Sequence, residues 1–127
     1  MLPFVVRFES GKPVYEQVLL AVKRALTSGQ LKPGDRFPSV RVLSQELRIN
    51  PNTAHKIIGA LVDDGVLSVR PGVGTVVSRA TPATAQQKQE LLGPDIERLV
   101  LDARVLSLDL DELISAIQKT WRSLVKE

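Results

Sequence analysis

The sequence predicts an α+β fold in which three short helices and a β-hairpin are followed by two further helices. Two observations predict it. Apolar residues recur at helical spacing in five separate stretches. Two runs rich in β-branched residues flank a Pro/Gly turn after the third stretch, which is typical of a hairpin. At 127 residues the chain has room for one small domain and an appendage, so we predict a boundary between residues 1–79 and 80–127.

Composition limits the classes of protein that the chain can belong to. Hydrophobic residues make up 43% and support a packed core, and the absence of cysteine excludes a disulfide framework and thiolate chemistry. Without a signal-peptide core or a membrane-spanning apolar run, we expect a cytoplasmic protein with no membrane partner. Residues 1–80 carry 11 Lys/Arg and 6 Asp/Glu, whereas residues 81–127 carry 6 and 8. The two parts therefore hold +5 and −2, summing to +3, and the basic part is suited to a polyanion.

The N-terminal third is predicted to hold one core helix. Residues 1–8 alternate weakly and indicate either a short strand or an arm packed on the core. Pro13 is a plausible first helical residue, and apolar residues then follow helical spacing as far as Gly29. Residues 31–38 contain two prolines and a Pro-Gly pair, so we interpret them as a turn-rich connector.

Two more helices follow with a very short turn between them. Ser39 is a good N-cap for a helix that turns Val40, Leu43, Ser44 and Leu47 inward. Asn50 and Pro51 open the next helix, and Gly65 ends it. Its apolar stripe comprises Ala54, Ile57, Ile58, Leu61 and Val62. Two helices joined by so tight a turn form a helix-turn-helix.

A β-hairpin directly after this pair narrows the fold to a winged helix-turn-helix. Residues 66–70 and 75–78 are the two strands, and residues 71–74, Pro-Gly-Val-Gly, are the turn. Tandem short elements occur in many small folds, but the position of the hairpin after the second helix of the pair favours this one.

The C-terminal part is predicted to be a linker and two amphipathic helices. Residues 80–90 are polar and indicate a linker that leads into a helix start. One helix spans residues 92–106, with a kink or a late start at Gly93-Pro94, and residues 109–112 resemble a capping box for a final helix to Val125. Two such helices hold too little core to be independent, so they pack on the winged domain or on another chain.

Five short segments together resemble the GntR family of bacterial transcription regulators. They are residues 14–17 (VYEQ), 29–35 (GQLKPGD), 38–41 (PSVR), 50–53 (NPNT) and 72–75 (GVGT). The INPNT run and the two short C-terminal helices are similar to the YtrA-type subfamily in particular. The resemblance implies a winged-helix DNA reader with a small helical dimerisation segment, and it implies repression, often of operons for ABC-type membrane transporters.

The third helix carries the strongest functional signal. Asn52, Thr53, His55 and Lys56 on its first turns all donate hydrogen bonds, and none is acidic, which fits the major groove of DNA. The resemblance adds an arginine of the second helix, Arg41, and the wing. Two departures from the family pattern are Ile58, where tyrosine is common, and His55, where other branches have arginine; the latter leaves base preference open. The predicted DNA-binding residues are Ser39, Arg41, Asn50, Asn52, Thr53, His55, Lys56, Arg70, Gly72 and Gly74.

The sequence therefore predicts a DNA-binding transcription regulator that acts as a homodimeric repressor on a pseudo-palindromic operator of double-stranded DNA. The predicted dimerisation residues are Leu92, Ile96, Leu99, Val100, Leu106, Leu113, Ile117, Trp121 and Leu124. A winged-helix protein-interaction module and an architectural DNA binder without effector control remain alternatives. One histidine with no companion at ligand spacing predicts no catalytic site, no metal and no cofactor. Whether a small-molecule effector exists is left open.

Overall fold

The computed structural model describes residues 2–79 and 83–124, and these two ranges form two compact units. The first unit contains three helices and a two-stranded antiparallel sheet, which confirms the predicted winged helix-turn-helix. In chain order its elements are α1 Val14–Thr27, α2 Val40–Leu47, α3 Pro51–Asp63, β1 Leu67–Arg70 and β2 Gly74–Val77.

The core of this winged unit is built from the inward faces of all three helices and of the hairpin, together with Phe4 ahead of α1 and with Leu31 and Phe37 between α1 and α2. Its buried residues are Phe4, Val18, Ala21, Val22, Ala25, Leu31, Phe37, Leu43, Ala54, Ile57, Ile58, Leu61, Leu67 and Val77. The stripes predicted on α1, α2 and α3 supply most of them. Each stripe is buried because α1 and α2 both pack against α3.

Residues 2–8 are an arm rather than a strand, which decides between the two alternatives left by the sequence. The Phe4 ring stacks on that of Phe37, with centroids 5.6 Å apart. At the end of the arm, the Gln17 side chain accepts a hydrogen bond from Glu9 N–H and donates to the Glu9 and Lys12 carbonyls. The arm is therefore held at both ends by side chains of the core unit.

Helix α1 starts one residue later than predicted. Pro13 has an extended backbone (ψ 131°) and occupies the N-cap position, so Val14 is the first helical residue. The Pro13 carbonyl accepts the first helical hydrogen bond, from Gln17 N–H. A proline at this position loses nothing, because an N-cap needs no N–H of its own for the helix.

The hairpin gains a third backbone partner that the sequence did not predict. In its own register Leu67 lies opposite Val77, and Arg70 lies opposite Gly74. On the other edge of β2, Val77 N–H donates to the Asp35 carbonyl (2.8 Å) and Phe37 N–H donates to the Thr75 carbonyl (2.9 Å). The segment predicted as a connector is thus also a strand-like edge of the wing.

The second unit is entirely helical, and its elements are α4 Ala85–Glu90, a π-helical turn Leu91–Asp95, α5 Ile96–Val105 and α6 Leu110–Leu124. Part of the predicted linker was therefore wrong, since Thr84 caps a helix there in a capping box with Gln87. At Gly93-Pro94 the wider π turn accommodates the proline, and the helical run continues into α5. Residues 80–82 and Val125 lie outside the described residues.

Helices α5 and α6 meet at a tight corner. Leu108 N–H donates to the Ala103 carbonyl (2.9 Å), and Ser107 adopts a left-handed conformation (φ 62°). The predicted capping box at the start of α6 is present, because Asp109 and Glu112 exchange side-chain to backbone hydrogen bonds of 2.8 and 3.1 Å. None of the helices described here combines the length and the apolar character needed to cross a membrane.

Candidate nucleic-acid interface

The helix-turn-helix is fixed by a cap at the start of each of its helices. The Ser39 hydroxyl accepts the Val42 N–H (3.2 Å), and the Asn50 side-chain carbonyl accepts the Asn52 N–H (2.8 Å). Between the helices Arg48 turns the chain with a left-handed backbone (φ 55°). Two caps and one turn residue therefore set where the first turns of both helices lie.

Helix α3 presents a polar face that we call the recognition face, formed by Asn52, His55 and Lys56. These residues are spaced i, i+3 and i+4, so they lie together on one side of the helix, and all three are exposed. Their side chains offer amide, imidazole and ammonium donors. Thr53 is half-buried at the edge of this face. The opposite side of α3, from Ala54 to Leu61, is buried in the core, so the polar side alone is available to a partner.

Two of the predicted DNA-binding residues are also helix N-caps. In Ser39 and Asn50 a side-chain oxygen accepts the capping hydrogen bond. The Ser39 hydroxyl hydrogen and the Asn50 amide NH₂ are still donors, and both residues are exposed. Capping and contact with an anion are compatible at these positions, because a cap uses the acceptor and an anion needs the donor.

Arg41 and the wing lie on other elements of the same unit. Arg41 is exposed on α2, on the side opposite the buried Leu43. At the wing, Arg70 ends β1 and is exposed, and Gly72 and Gly74 have φ angles of 77° and 107°. Only glycine adopts such angles without strain, so these glycines shape the tip and add no side chain that would hinder close approach.

Gly59 belongs to this surface and was not among the predicted residues. It follows Lys56 by three positions and Asn52 by seven, which places it in the middle of the recognition face. A Cβ built there meets no atom within 4 Å, so packing inside the chain does not require glycine. The signal available in the sequence was a lone glycine inside a helical stretch, which costs helix stability and calls for a reason.

The predicted dimerisation residues form an apolar surface on the helical unit. Of the residues described there, Ala103 is buried and Leu113 is half-buried, where α5 and α6 meet. The others are exposed, among them Leu92, Ile96, Leu99, Val100, Leu106, Ile117, Trp121 and Leu124. On α6 Leu110, Ile114, Ile117, Trp121 and Leu124 alternate steps of four and three, which is a coiled-coil spacing.

In the part of the chain that the structure describes, acidic and histidine side chains do not converge on a metal-sized site. Within residues 2–79 and 83–124, no three of them are placed to hold an ion. His55 instead shares its helix face with Asn52 and with Lys56, whose ammonium group repels a cation.

Comparisons with known proteins agree on one family. A sequence model described as "Bacterial regulatory proteins, gntR family" matches residues 14–77, from α1 to β2. The HTH-type transcriptional repressor YtrA of Bacillus subtilis is 32% identical over 105 residues, 82% of this chain and 81% of that protein. The HTH-type transcriptional regulator YhcF of the same organism is 29% identical over 112 residues, 88% and 93% of the two chains. A transcriptional antiterminator from Listeria monocytogenes EGD-e has the same fold, with a TM-score of 0.85 over 98% of this chain and 93% of that chain at 22% identity.

Proposed function

The chain belongs to the GntR family of bacterial transcription regulators and is YtrA-like within it, and on this premise we propose that it is a cytoplasmic repressor that binds a pseudo-palindromic operator as a homodimer. The DNA-binding part of the proposal comes from membership of the family. Repression comes from the similarity to YtrA, which is named a repressor. The two-fold arrangement and the roles of individual residues are argued below from the geometry.

The observation that carries the proposal is the recognition face of α3. A helix enters the major groove with its N-terminal residues at the base edges, where amide, imidazole and ammonium groups find acceptors on guanine and adenine. Asn52, His55 and Lys56 are such groups, they are exposed, and no acidic side chain interrupts residues 51–62. A winged helix that bound a protein instead would be expected to expose apolar side chains here.

Arg41 and Arg70 are suited to the DNA backbone. Both are exposed, and among the described residues neither has a carboxylate within ion-pair distance. A guanidinium without an internal partner is available to phosphate, which it binds with two parallel hydrogen bonds. We therefore assign phosphate contacts to these arginines and base contacts to the recognition face.

The helical unit supports a homodimer because it leaves its own apolar surface uncovered. Trp121 is 72% exposed and Leu110 68% exposed on the same side of α6. A monomer rarely presents a long apolar stripe to water, and a two-fold pair buries the same stripe from both chains at once. Two winged units tied together then meet two half-sites, and an occupied promoter is not transcribed.

The test is selection of DNA from a random pool by the purified full-length protein, followed by titration of the selected duplex. We expect an inverted repeat whose half-sites are separated by about one helical turn. Asn52→Ala and His55→Ala should each relax selection at one or two positions per half-site, because one good base contact is worth roughly 1–3 kcal/mol of discrimination. Lys119→Ala, an exposed change on α6, is the matched control and should return the wild-type motif.

Two outcomes would overturn the proposal. If the wild-type protein selects no common sequence, it is not a sequence-specific regulator. If both α3 variants return the unaltered motif with unaltered affinity, another part of the winged unit reads the bases.

A further inference from the structure

A third strand-like segment pairs with β2 at the base of the wing, and it contains an arginine. Arg36 lies opposite Val76 of β2 in an antiparallel bridge. The backbone hydrogen bonds of its neighbours Asp35 and Phe37 hold this segment along β2, and Gly34 N–H adds a bond to the Val77 carbonyl (2.9 Å). The position of Arg36 is thus set by β-pairing rather than by a free loop.

The pairing register puts Arg36 on the same face of the wing as Arg70. Residues directly opposite each other in antiparallel strands point to the same side of a sheet. Ser68, Val76 and Arg36 therefore form one row, and Arg70 shares their side because it follows Ser68 by two residues. Phe37 points the other way and is buried in the core cluster, as this register requires. Val76, in the row with Arg36, is also buried, with 2% of its surface exposed, but it is not a member of that cluster.

The two arginines are spaced for a run of charges rather than for a single ion. Arg36 is one strand beyond the partner of Arg70 and two residues along it. With strands about 4.8 Å apart and about 3.3 Å per residue, their Cα atoms are separated by roughly 12 Å. Gly74, opposite Arg70, contributes no side chain between them.

Neither arginine is neutralised within the part of the chain that the structure describes. Both are exposed, and the ion pairs found there join Lys12 to Glu9 and Arg98 to Asp95. The nearest acid along the chain, Asp35, uses its carboxylate to accept the Lys32 N–H (2.9 Å), and the register turns it to the opposite face. Two unpaired guanidinium groups on one face attract a polyanion with regularly repeated charges.

We propose that Arg36 is a DNA-binding residue, which with Arg70 holds the phosphodiester backbone against this face of the wing. The inference rests on the proposed function and extends its DNA surface from helix α3 and the tip of the wing to the segment before α2. Because phosphate carries no sequence information, Arg36 contributes affinity and position but not base preference.

The experiment measures the salt dependence of binding to the selected duplex for the full-length wild type, Arg36→Gln and Arg70→Gln. Each lost phosphate contact reduces the slope of log K against log salt by about 0.9. The ratio of wild-type to Arg36→Gln affinity should then fall about 3.5-fold when salt rises fourfold, from roughly 50 to 200 mM. Arg36→Lys retains the charge and should retain the wild-type slope. The motif selected from random DNA should be the same for all variants.

Lys23→Gln is the matched control, since it removes one positive charge from the exposed side of α1. If it flattens the slope as much as Arg36→Gln, the effect is one of net charge and the assignment is wrong. The assignment is also wrong if Arg36→Gln keeps the wild-type slope while Arg70→Gln loses part of it, or if Arg36→Gln changes the selected motif. A wild-type protein that binds no duplex would instead refute the proposed function, so the two failures are distinguishable.

Discussion

The two units of the chain have equally regular apolar stripes but very different cores. In the winged unit the stripes of α1, α2 and α3 converge, and Val18, Leu43 and Leu61 are completely buried. In the helical unit the stripes of α5 and α6 leave Ala103 as the buried residue among those described, while Trp121 is 72% exposed. Periodicity in a sequence therefore indicates that a helix face is apolar, but it does not indicate what covers that face.

Because of this difference in burial, the two units are suited to different roles in the proposed function. Buried apolar surface stabilises a fold by about 25 cal/mol per Å², so a unit that buries its stripes gains this stabilisation from its own residues. A unit that exposes them gains the same stabilisation only from a partner. The winged unit is thus suited to carry a rigid DNA surface, and the helical unit is suited to join two copies.

We expect the largest effect from removing the helical unit. A fragment ending at Ser78 keeps every residue of the core cluster, so we expect a folded monomer by light scattering and circular dichroism. Its affinity for the full inverted repeat should fall by roughly 10²–10⁴, because the second half-site no longer binds as an intramolecular event. Its affinity for a single half-site should remain close to that of the full-length chain. A fragment that is dimeric or unfolded would contradict the division into a self-sufficient and a dependent unit.

Within the winged unit, the closed core predicts a large cost for one buried leucine. Leu61→Ala leaves a cavity at a site with no exposure, and the free energy of unfolding of the fragment should fall by about 2–5 kcal/mol. Leu20→Ala makes the same chemical change on α1 at a side chain that is half exposed, and it should cost roughly 1 kcal/mol or less. Urea denaturation measures both. Equal costs would mean that the core is not packed as described.

The elements of the winged unit could be predicted because each has a local signal. Ser39 and Asn50 are caps in the sequence and in the structure, and the stripe of α3 ends before Gly65, which adopts the left-handed conformation expected of it (φ 79°). The family resemblance is confirmed by the match over residues 14–77. Local periodicity, capping residues and turn residues were sufficient for these features, since each depends on neighbours in the chain.

What could not be predicted depends on residues distant in sequence or on weak propensity. Arg36 pairs with Val76, forty positions away, from a segment whose prolines and glycine indicate only turns. Helix α4 has no apolar stripe, so its Gln-rich sequence resembled a linker, although Thr84 caps it. On α3, the apolar stripe correctly predicted which side of the helix is exposed. The sequence did not show that packing leaves the glycine at position 59 unexplained, because that depends on the empty space around Gly59 in the structure.

In the helical unit, one aromatic side chain should account for much of the pairing. Trp121→Ala removes the largest exposed apolar group of α6, and we expect the dimer dissociation constant to rise about 30-fold or more, the equivalent of roughly 2 kcal/mol for an interface hot spot. Sedimentation at a series of concentrations measures it. Because Trp121 is the single tryptophan, its emission should also shift to shorter wavelength as the wild-type chain dimerises. Lys119→Ala is the control; an unchanged dissociation constant in Trp121→Ala would place the interface elsewhere.

The smallest expected effect concerns a residue that the closed core does not need. Gly59→Ala adds a Cβ that meets no atom of the chain, and alanine in a helix interior is more stable than glycine by roughly 0.5–1 kcal/mol. The free energy of unfolding of the winged unit should rise by that amount. Because Gly59 lies in the middle of the recognition face, the same methyl group should stand between α3 and the groove and weaken operator binding.

Ala60→Gly, the reverse change one position along the helix, should lower stability by a similar amount and leave the selected motif unchanged. Opposite signs for stability and affinity in Gly59→Ala would mean that this glycine is retained for close approach to DNA. If stability and affinity both rise, α3 does not enter the groove as far as its third turn.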